Sequence, residues 1–187
     1  MEQEIKNCLE VLRNGGTILY PTDTIWGIGC DATNTKAVRK IYRIKKRMES
    51  KSLIVLVEDE ERLKKHTTAV PDIAWDLIRS VHTPLTIIYP GAADLAKNVI
   101  AEDGTIAIRI VKNEFCRQLI SRFGKPVVST SANISGQAPP LMFKGIADEI
   151  KQQVDYVVNL YQDALSEVKP STIIKLNASG EFEIIRK

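Results

Sequence analysis

Four short stretches of this chain carry side chains able to hold an anion. The first is Lys45-Lys46-Arg47, followed by Lys51. Arginine offers a planar fork for phosphate or carboxylate, and lysine offers a point charge. Lys45 and Arg47 are two residues apart and do not share a helix face, so they converge only if a helix ends there and the chain turns. The second stretch is Val127-Val128-Ser129-Thr130-Ser131-Ala132-Asn133-Ile134-Ser135-Gly136. There a buried strand runs straight into hydroxyl and amide side chains, which suits an anion or ribose site and equally a capped strand-to-helix turn. The third, Pro21-Thr22-Asp23-Thr24, either holds a carboxylate or phosphate with hydroxyls and backbone N–H groups, or is a turn in which Asp23 bonds its own backbone. The fourth is Arg109, in Thr105-Ile106-Ala107-Ile108-Arg109-Ile110. A period of two places Thr105, Ala107 and Arg109 on one face. An arginine on an apolar strand needs a partner, a ligand or an exposed edge.

Other chemistries lack their residues. Gly27-Ile28-Gly29-Cys30-Asp31-Ala32 matches the dinucleotide fingerprint in letters, but the first glycine neither follows a strand directly nor opens a helix. Its content is close backbone approach or tight packing. The phosphate-loop pattern ending in Gly-Lys-Ser/Thr is missing, as is the nucleophile elbow of serine hydrolases. Cys8, Cys30 and Cys116 are odd in number and widely spaced, and the two histidines, His66 and His82, have no cysteine near them. A disulfide framework and a His/Cys zinc site are therefore not expected.

These stretches hang on a regular alternation of elements. Ile5, Leu9 and Leu12 mark a helix over 2–14, stopped by Gly15-Gly16. A short buried strand covers 17–20, and a polar, glycine-rich stretch follows to Asp31. Helices are expected over 35–46, 59–65, 71–80 with Ile73, Leu77 and Ile78 inward, 114–123 and 142–152. Strands are expected over 53–57, 85–89, 105–111, 127–130, 154–158, 172–176 and 182–185, with a hairpin turn at 177–180. Interleaved helices and strands predict a layered α/β domain. The final strand pair, with no helix between, makes the sheet mixed.

The length of 187 residues, with 44% apolar and 26% charged, fits one ordinary globular domain spanning 1–187. No apolar run is long enough to span a membrane, the N-terminus is acidic without an apolar signal core, and the thiols suit a reducing cytoplasm. The net charge of +3 is unevenly spread: residues 39–51 carry +6 and leave the rest at −3. This local excess suggests a site for nucleotide, phosphate, carboxylate or RNA backbone, or else a solvated helix face.

Taken together, the chain resembles the YrdC-like family, the threonylcarbamoyl-adenylate synthases. The carriers, in order, are Pro21-Thr22-Asp23-Thr24 with Trp26-Gly27-Ile28-Gly29-Cys30-Asp31-Ala32, the Lys-x-Arg of Lys45 and Arg47, the strand from Thr105 to Arg109, the run from Ser129 to Gly136, and Pro170-Ser171-Thr172-Ile173. The resemblance implies a twisted mixed parallel/antiparallel sheet with flanking helices around an electropositive cavity, not a Rossmann fold. It implies condensation of L-threonine, bicarbonate and ATP, with Mg²⁺ accompanying ATP, into threonylcarbamoyl-adenylate and pyrophosphate. Partner proteins then pass the group to tRNA. By the same resemblance Lys45, Arg47, Thr105, Ser131, Asn133, Ser171 and Thr172 bind ATP. Thr24, Arg109 and Ser129 hold threonine, with Arg109 facing its carboxylate. The chain departs from the family pattern at Met48, Ser52, His82-Thr83, Trp26 and around Pro139-Pro140.

Two other functions fit the same residues. A non-catalytic binder of double-stranded RNA or tRNA would use the basic cavity, but it needs positive charge spread beyond 39–51 and aromatic platforms beside it. A hydrolase of a related carbamoyl-adenylate is compatible with the spacing.

Overall fold

The computed structural model describes residues 1–49, 53–164 and 170–187. Helix α1 (Glu2–Arg13) buries Ile5, Cys8, Leu9 and Leu12, with Glu2 and Glu4 in its first turn and Arg13 in its last, the signs its dipole favours. Strand β1 (Ile18–Tyr20) is buried throughout, and β2 (Gly27–Gly29) returns antiparallel to it. Helix α2 (Thr35–Ile44) starts where the Asn34 side chain accepts from Lys36 N and Ala37 N. There follow β3 (Ile54–Val57), α3 (Glu60–Lys65), α4 (Asp72–Ser80), β4 (Leu85–Tyr89), β5 (Ile106–Ile110), α5 (Glu114–Phe123), β6 (Val127–Ser131), α6 (Asp148–Gln153), β7 (Tyr156–Val157), β8 (Thr172–Leu176) and β9 (Phe182–Arg186).

One nine-stranded sheet runs in the order β7-β1-β2-β6-β3-β5-β4-β8-β9. Pairing is parallel where β7 meets β1, β3 meets β5 and β4 meets β8, and antiparallel elsewhere. The expected mixed α/β sheet with flanking helices is what forms. Its central register sorts side chains onto two faces. Val55, Ile108, Val128, Ile87 and Ile174 align on one face and are buried, and α3 and α5 pack against β3. Ile54, Ala107, Arg109, Ile88, Thr86, Ile173 and Ser129 align on the other face, where the cavity opens.

Three expectations change. The glycine-rich stretch contains a strand: a Cβ on Gly29 would meet the Val128 carbonyl oxygen at 2.5 Å and the Tyr20 ring at 2.6 Å. Packing, not a dinucleotide turn, is what these glycines allow. The helix expected over 142–152 splits into a 3-10 turn, Phe143–Gly145, and α6, because Ile146 and Ala147 are extended. That break lets Ile146 enter the core while Phe143 packs its ring 4.8 Å from that of Trp26. The strand at 154–158 shortens to two residues, since Asp155 spends both its N–H and its carboxylate on Thr17. In α4, Ile73, Leu77 and Ile78 do face inward, packed half-buried against the core, and Ala74 is fully buried.

Candidate functional site

The basic turn solves the geometric problem that the sequence poses. α2 ends at Ile44, Lys46 adopts the left-handed conformation (φ 49°), and Arg47 N–H returns to the Tyr42 carbonyl at 2.9 Å. This is a helix-ending turn that usually employs glycine. It separates the two cations. Arg47 lines the cavity, and burial lowers its pKa. Lys45 stands behind the wall, 1% exposed, and its ammonium donates to the Ser131 and Asn133 carbonyls at 2.6 and 2.7 Å. Burial first, then the Arg47 charge, pushes Lys45 down to about 8.

The hydroxyl-rich run is thereby pinned. Ser135 N–H donates to the Lys45 carbonyl at 2.8 Å, and Asn133 Nδ2 donates to the Ile134 and Gln137 carbonyls at 3.0 and 2.7 Å. Ser129 and Ser131 line the cavity; Asn133 ties the loop. A Cβ on Gly27 would stand 3.0 Å from Ser129 Oγ, so glycine lets β2 lie close over that serine.

The Pro-Thr-Asp-Thr turn is capped by Thr22, whose Oγ1 donates to the Ile25 carbonyl at 2.7 Å and accepts from Thr24 N–H at 3.1 Å. Thr24 is thus presented to the cavity. Asp23 does not bond its own backbone; its Oδ1 lies 3.2 Å from Arg109 Nη2, with both side chains almost fully buried. Arg109 is therefore no edge residue. Its Nε is buried without a hydrogen-bond partner among the described residues, and the residue lines the cavity.

Thr24, Arg47, Arg109, Ser129, Ser131 and Ser171 share one cavity of about 320 Å³. A second hollow of about 440 Å³, holding Thr105, shares Ile88, Ala107 and Ile185 with it. Thr105 donates to Asp103 Oδ1 from both N and Oγ1, at 3.1 and 2.6 Å. Lys45, Asn133 and Thr172 do not line the cavity; Thr172 opens β8 opposite Leu85, on the face away from Thr86 and Ile173. Lys51 and Ser52 lie outside the described residues.

Sequence reasoning missed Arg186. It lines the same cavity and donates through Nε and Nη2 to the Ser171 carbonyl at 3.0 and 2.8 Å. Burial, and then the Arg109 charge, lower its pKa. No local pattern marked it: Arg186 follows Phe182-Glu183-Ile184-Ile185, in which two apolar residues adjoin. Three arginines thus face a lining that carries no carboxylate among the described residues. Such a site neutralises anions and orders them by hydrogen bonds.

Among the described residues no cysteine offers a ready nucleophile. All three cysteines are buried and unpaired. Burial pushes Cys8 up to about 12 and holds Cys30 and Cys116 higher still, so their thiols act as apolar filler. Among the described residues no cluster of three or more His, Cys, Asp or Glu could hold a metal, and no helix is long and apolar enough to cross a membrane. Outside the cavity, the exposed basic face of α2 is partly matched: Arg39 pairs with Glu49 at 3.4 Å, Lys40 with Asp155 at 3.8 Å, and Lys46 beyond it with Glu149 at 2.7 Å.

A family model described as "Telomere recombination", for Sua5, yciO and yrdC, matches residues 10–187. A threonylcarbamoyl-AMP synthase of Pseudoalteromonas translucida is 33% identical over 175 residues, 92% of each chain. A putative threonylcarbamoyl-AMP synthase of Methanocaldococcus jannaschii is 39% identical over 183 residues, 94% of this chain and 83% of that one. The crystal structure of P. abyssi Sua5 complexed with L-threonine superposes with a TM-score of 0.85 at 26% identity. It matches 94% of this chain, which spans about half (52%) of that longer one.

Proposed function

The chain belongs to the Sua5/yciO/yrdC family, and from there we propose that it condenses L-threonine, bicarbonate and ATP into threonylcarbamoyl-adenylate and pyrophosphate. The observation that carries this reading is a single cavity lined by Arg47, Arg109, Arg186 and the hydroxyls of Thr24, Ser129, Ser131 and Ser171, with no carboxylate in its described lining. Both reactants are anions, and a cavity so lined suppresses their repulsion.

The threonine amine and bicarbonate give a carbamate with loss of water, and a carbamate oxygen attacks the α-phosphorus of ATP and displaces pyrophosphate. No protein nucleophile takes part. Arg109, oriented by Asp23, receives the threonine carboxylate, and its unpartnered Nε supplies a donor. Thr24 and Ser129 hold the rest of the amino acid. Arg47 and Arg186 spread the charge of the phosphates, Ser131 and Ser171 donate beside them, and Thr105 borders the adjoining hollow on the nucleotide side. Lys45 and Asn133 act from behind by shaping the wall. Mg²⁺ would come with ATP as part of the substrate and would add to the neutralisation of the phosphate charge. Enclosure between sheet and loops shields a carbamate that is unstable in water.

The product is a mixed anhydride that a transfer protein must consume, and tRNA is reached through that protein in the cytoplasm. Direct RNA binding is the weaker reading, because intramolecular carboxylates already meet part of the α2 face.

The test is pyrophosphate release by the purified chain with ATP, Mg²⁺ and bicarbonate, with and without L-threonine, and mass spectrometry for the adenylate. Threonine-dependent release with that adenylate is expected. A folded protein that binds ATP yet releases nothing would return the weight to RNA, tested by a salt-dependent binding titration.

A further inference from the structure

We propose that Thr86 is a positioning residue: it fixes Ser171 as a hydrogen-bond donor to an anionic oxygen of the bound substrate. This rests on the reaction proposed above. Thr86 sits on the cavity face of β4, opposite Ile173 of β8, and is completely buried. Its Oγ1 lies 2.8 Å from Ser171 Oγ, its one side-chain hydrogen bond among the described residues. Ser171 Oγ also receives Arg186 Nη2 at 3.3 Å.

Two proton orders are open to the hydroxyl pair, and burial chooses between them. A guanidinium only donates, so Arg186 takes one lone pair of Ser171. If Ser171 donated to Thr86, the Thr86 proton would be left without an acceptor among the described residues, on a side chain with no exposed surface, and a buried unmade hydrogen bond is costly. If Thr86 donates, it is satisfied and the second lone pair of Ser171 is filled. The Ser171 proton then has no acceptor among the described residues, and Ser171 lines the cavity. Ser171 is thus held as a donor that needs an acceptor from the ligand. Beside Arg109 and Arg186, that acceptor is a carboxylate or phosphate oxygen, borne by the amino acid or by ATP.

The experiment is equilibrium titration of the full chain with L-threonine and with ATP separately, alongside KM and kcat. It compares wild type with Thr86→Val, Thr86→Ser, Ser171→Ala and the Thr86→Val/Ser171→Ala double variant. Valine keeps the shape and removes the donor; serine keeps the donor. Thr86→Val should weaken one ligand about tenfold and leave the other within twofold. The ligand that weakens identifies the oxygen. Thr86→Ser should bind as wild type, and the double variant should match Ser171→Ala, because Thr86 acts only through that hydroxyl. The proposal is overturned if Thr86→Val binds both ligands within twofold of wild type, if Thr86→Ser loses as much as Thr86→Val, or if the two losses add. A wild-type chain that binds neither ligand overturns the proposed function and this inference with it. A wild type that binds, with Thr86→Val equal to it, overturns the inference alone.

Discussion

The Lys45 ammonium lies 2.6 Å from the Ser131 carbonyl oxygen, so the residue that ends one side of the basic turn also holds the loop that carries the hydroxyls. A proton is at stake in that contact. Folding lowers the Lys45 pKa to about 8, whereas unfolded lysine titrates at about 10.4. Between those values the unfolded chain binds more protons, and stability rises with pH. Urea midpoints of wild type and Lys45→Met should therefore draw apart in favour of wild type as pH goes from 8 to 10. Over the same window ATP use should fall, because the neutral amine donates more weakly to the two carbonyls that it holds. A flat difference between the two midpoints would deny the shift.

Arg109 and Asp23 form a nearly dry ion pair, so stability and binding can be separated there. Arg109→Gln strands a buried carboxylate and should lose about 3–5 kcal/mol of stability. It should also raise the threonine KM at least tenfold. Adding Asp23→Asn should recover much of the stability by denaturant titration and none of the threonine affinity. Recovery of both would mean that Arg109 serves the fold alone.

Lys46 spends backbone strain to turn the chain toward Arg47. Lys46→Gly relieves about 1 kcal/mol of left-handed cost and gives up an exposed pair with Glu149 worth about 0.2–1 kcal/mol. Its net stability should stay near wild type. Lys46→Val, branched at Cβ, should fall about 1–2 kcal/mol below Lys46→Gly. Thermal midpoints of the two variants measured side by side decide it.

Gly27 and Gly29 should behave differently although they are two residues apart. An alanine at 29 meets backbone and an aromatic ring, and should lose about 1–3 kcal/mol. An alanine at 27 presses on the Ser129 hydroxyl, a flexible group in the cavity. Its main effect should be weaker threonine binding at nearly unchanged stability, read by calorimetry against a melting curve.

How much of this was legible follows from where each constraint lives. The alternation of Ile5, Leu9 and Leu12, or of Thr105, Ala107 and Arg109, is local, and it placed α1 and β5. The cavity side of β5 followed from that period as well. Asp23 as the partner of Arg109, and Arg186 as a third cation, depend on contacts between segments far apart in sequence, which no local pattern encodes. Lys45 shows the same limit. Its charge was visible, but the acceptors that take it are backbone carbonyls, and every residue carries one of those. The break at Ile146 is a tertiary effect too: burial of that side chain outweighs continuation of a helix.

The cavity draws its walls from both ends of the chain, Thr24 from just after β1 and Ile185 and Arg186 from β9. During synthesis the two ends are not available together. α1, β1, β2 and the strands up to β6 can pair while the later sequence is still being made, but the Arg186 contact to Ser171 waits for the final hairpin. Contacts of such sequence separation form late, because a long loop must close first. A nascent chain that has already collapsed around its core therefore still lacks the β9 wall of the cavity, which arrives with the final hairpin.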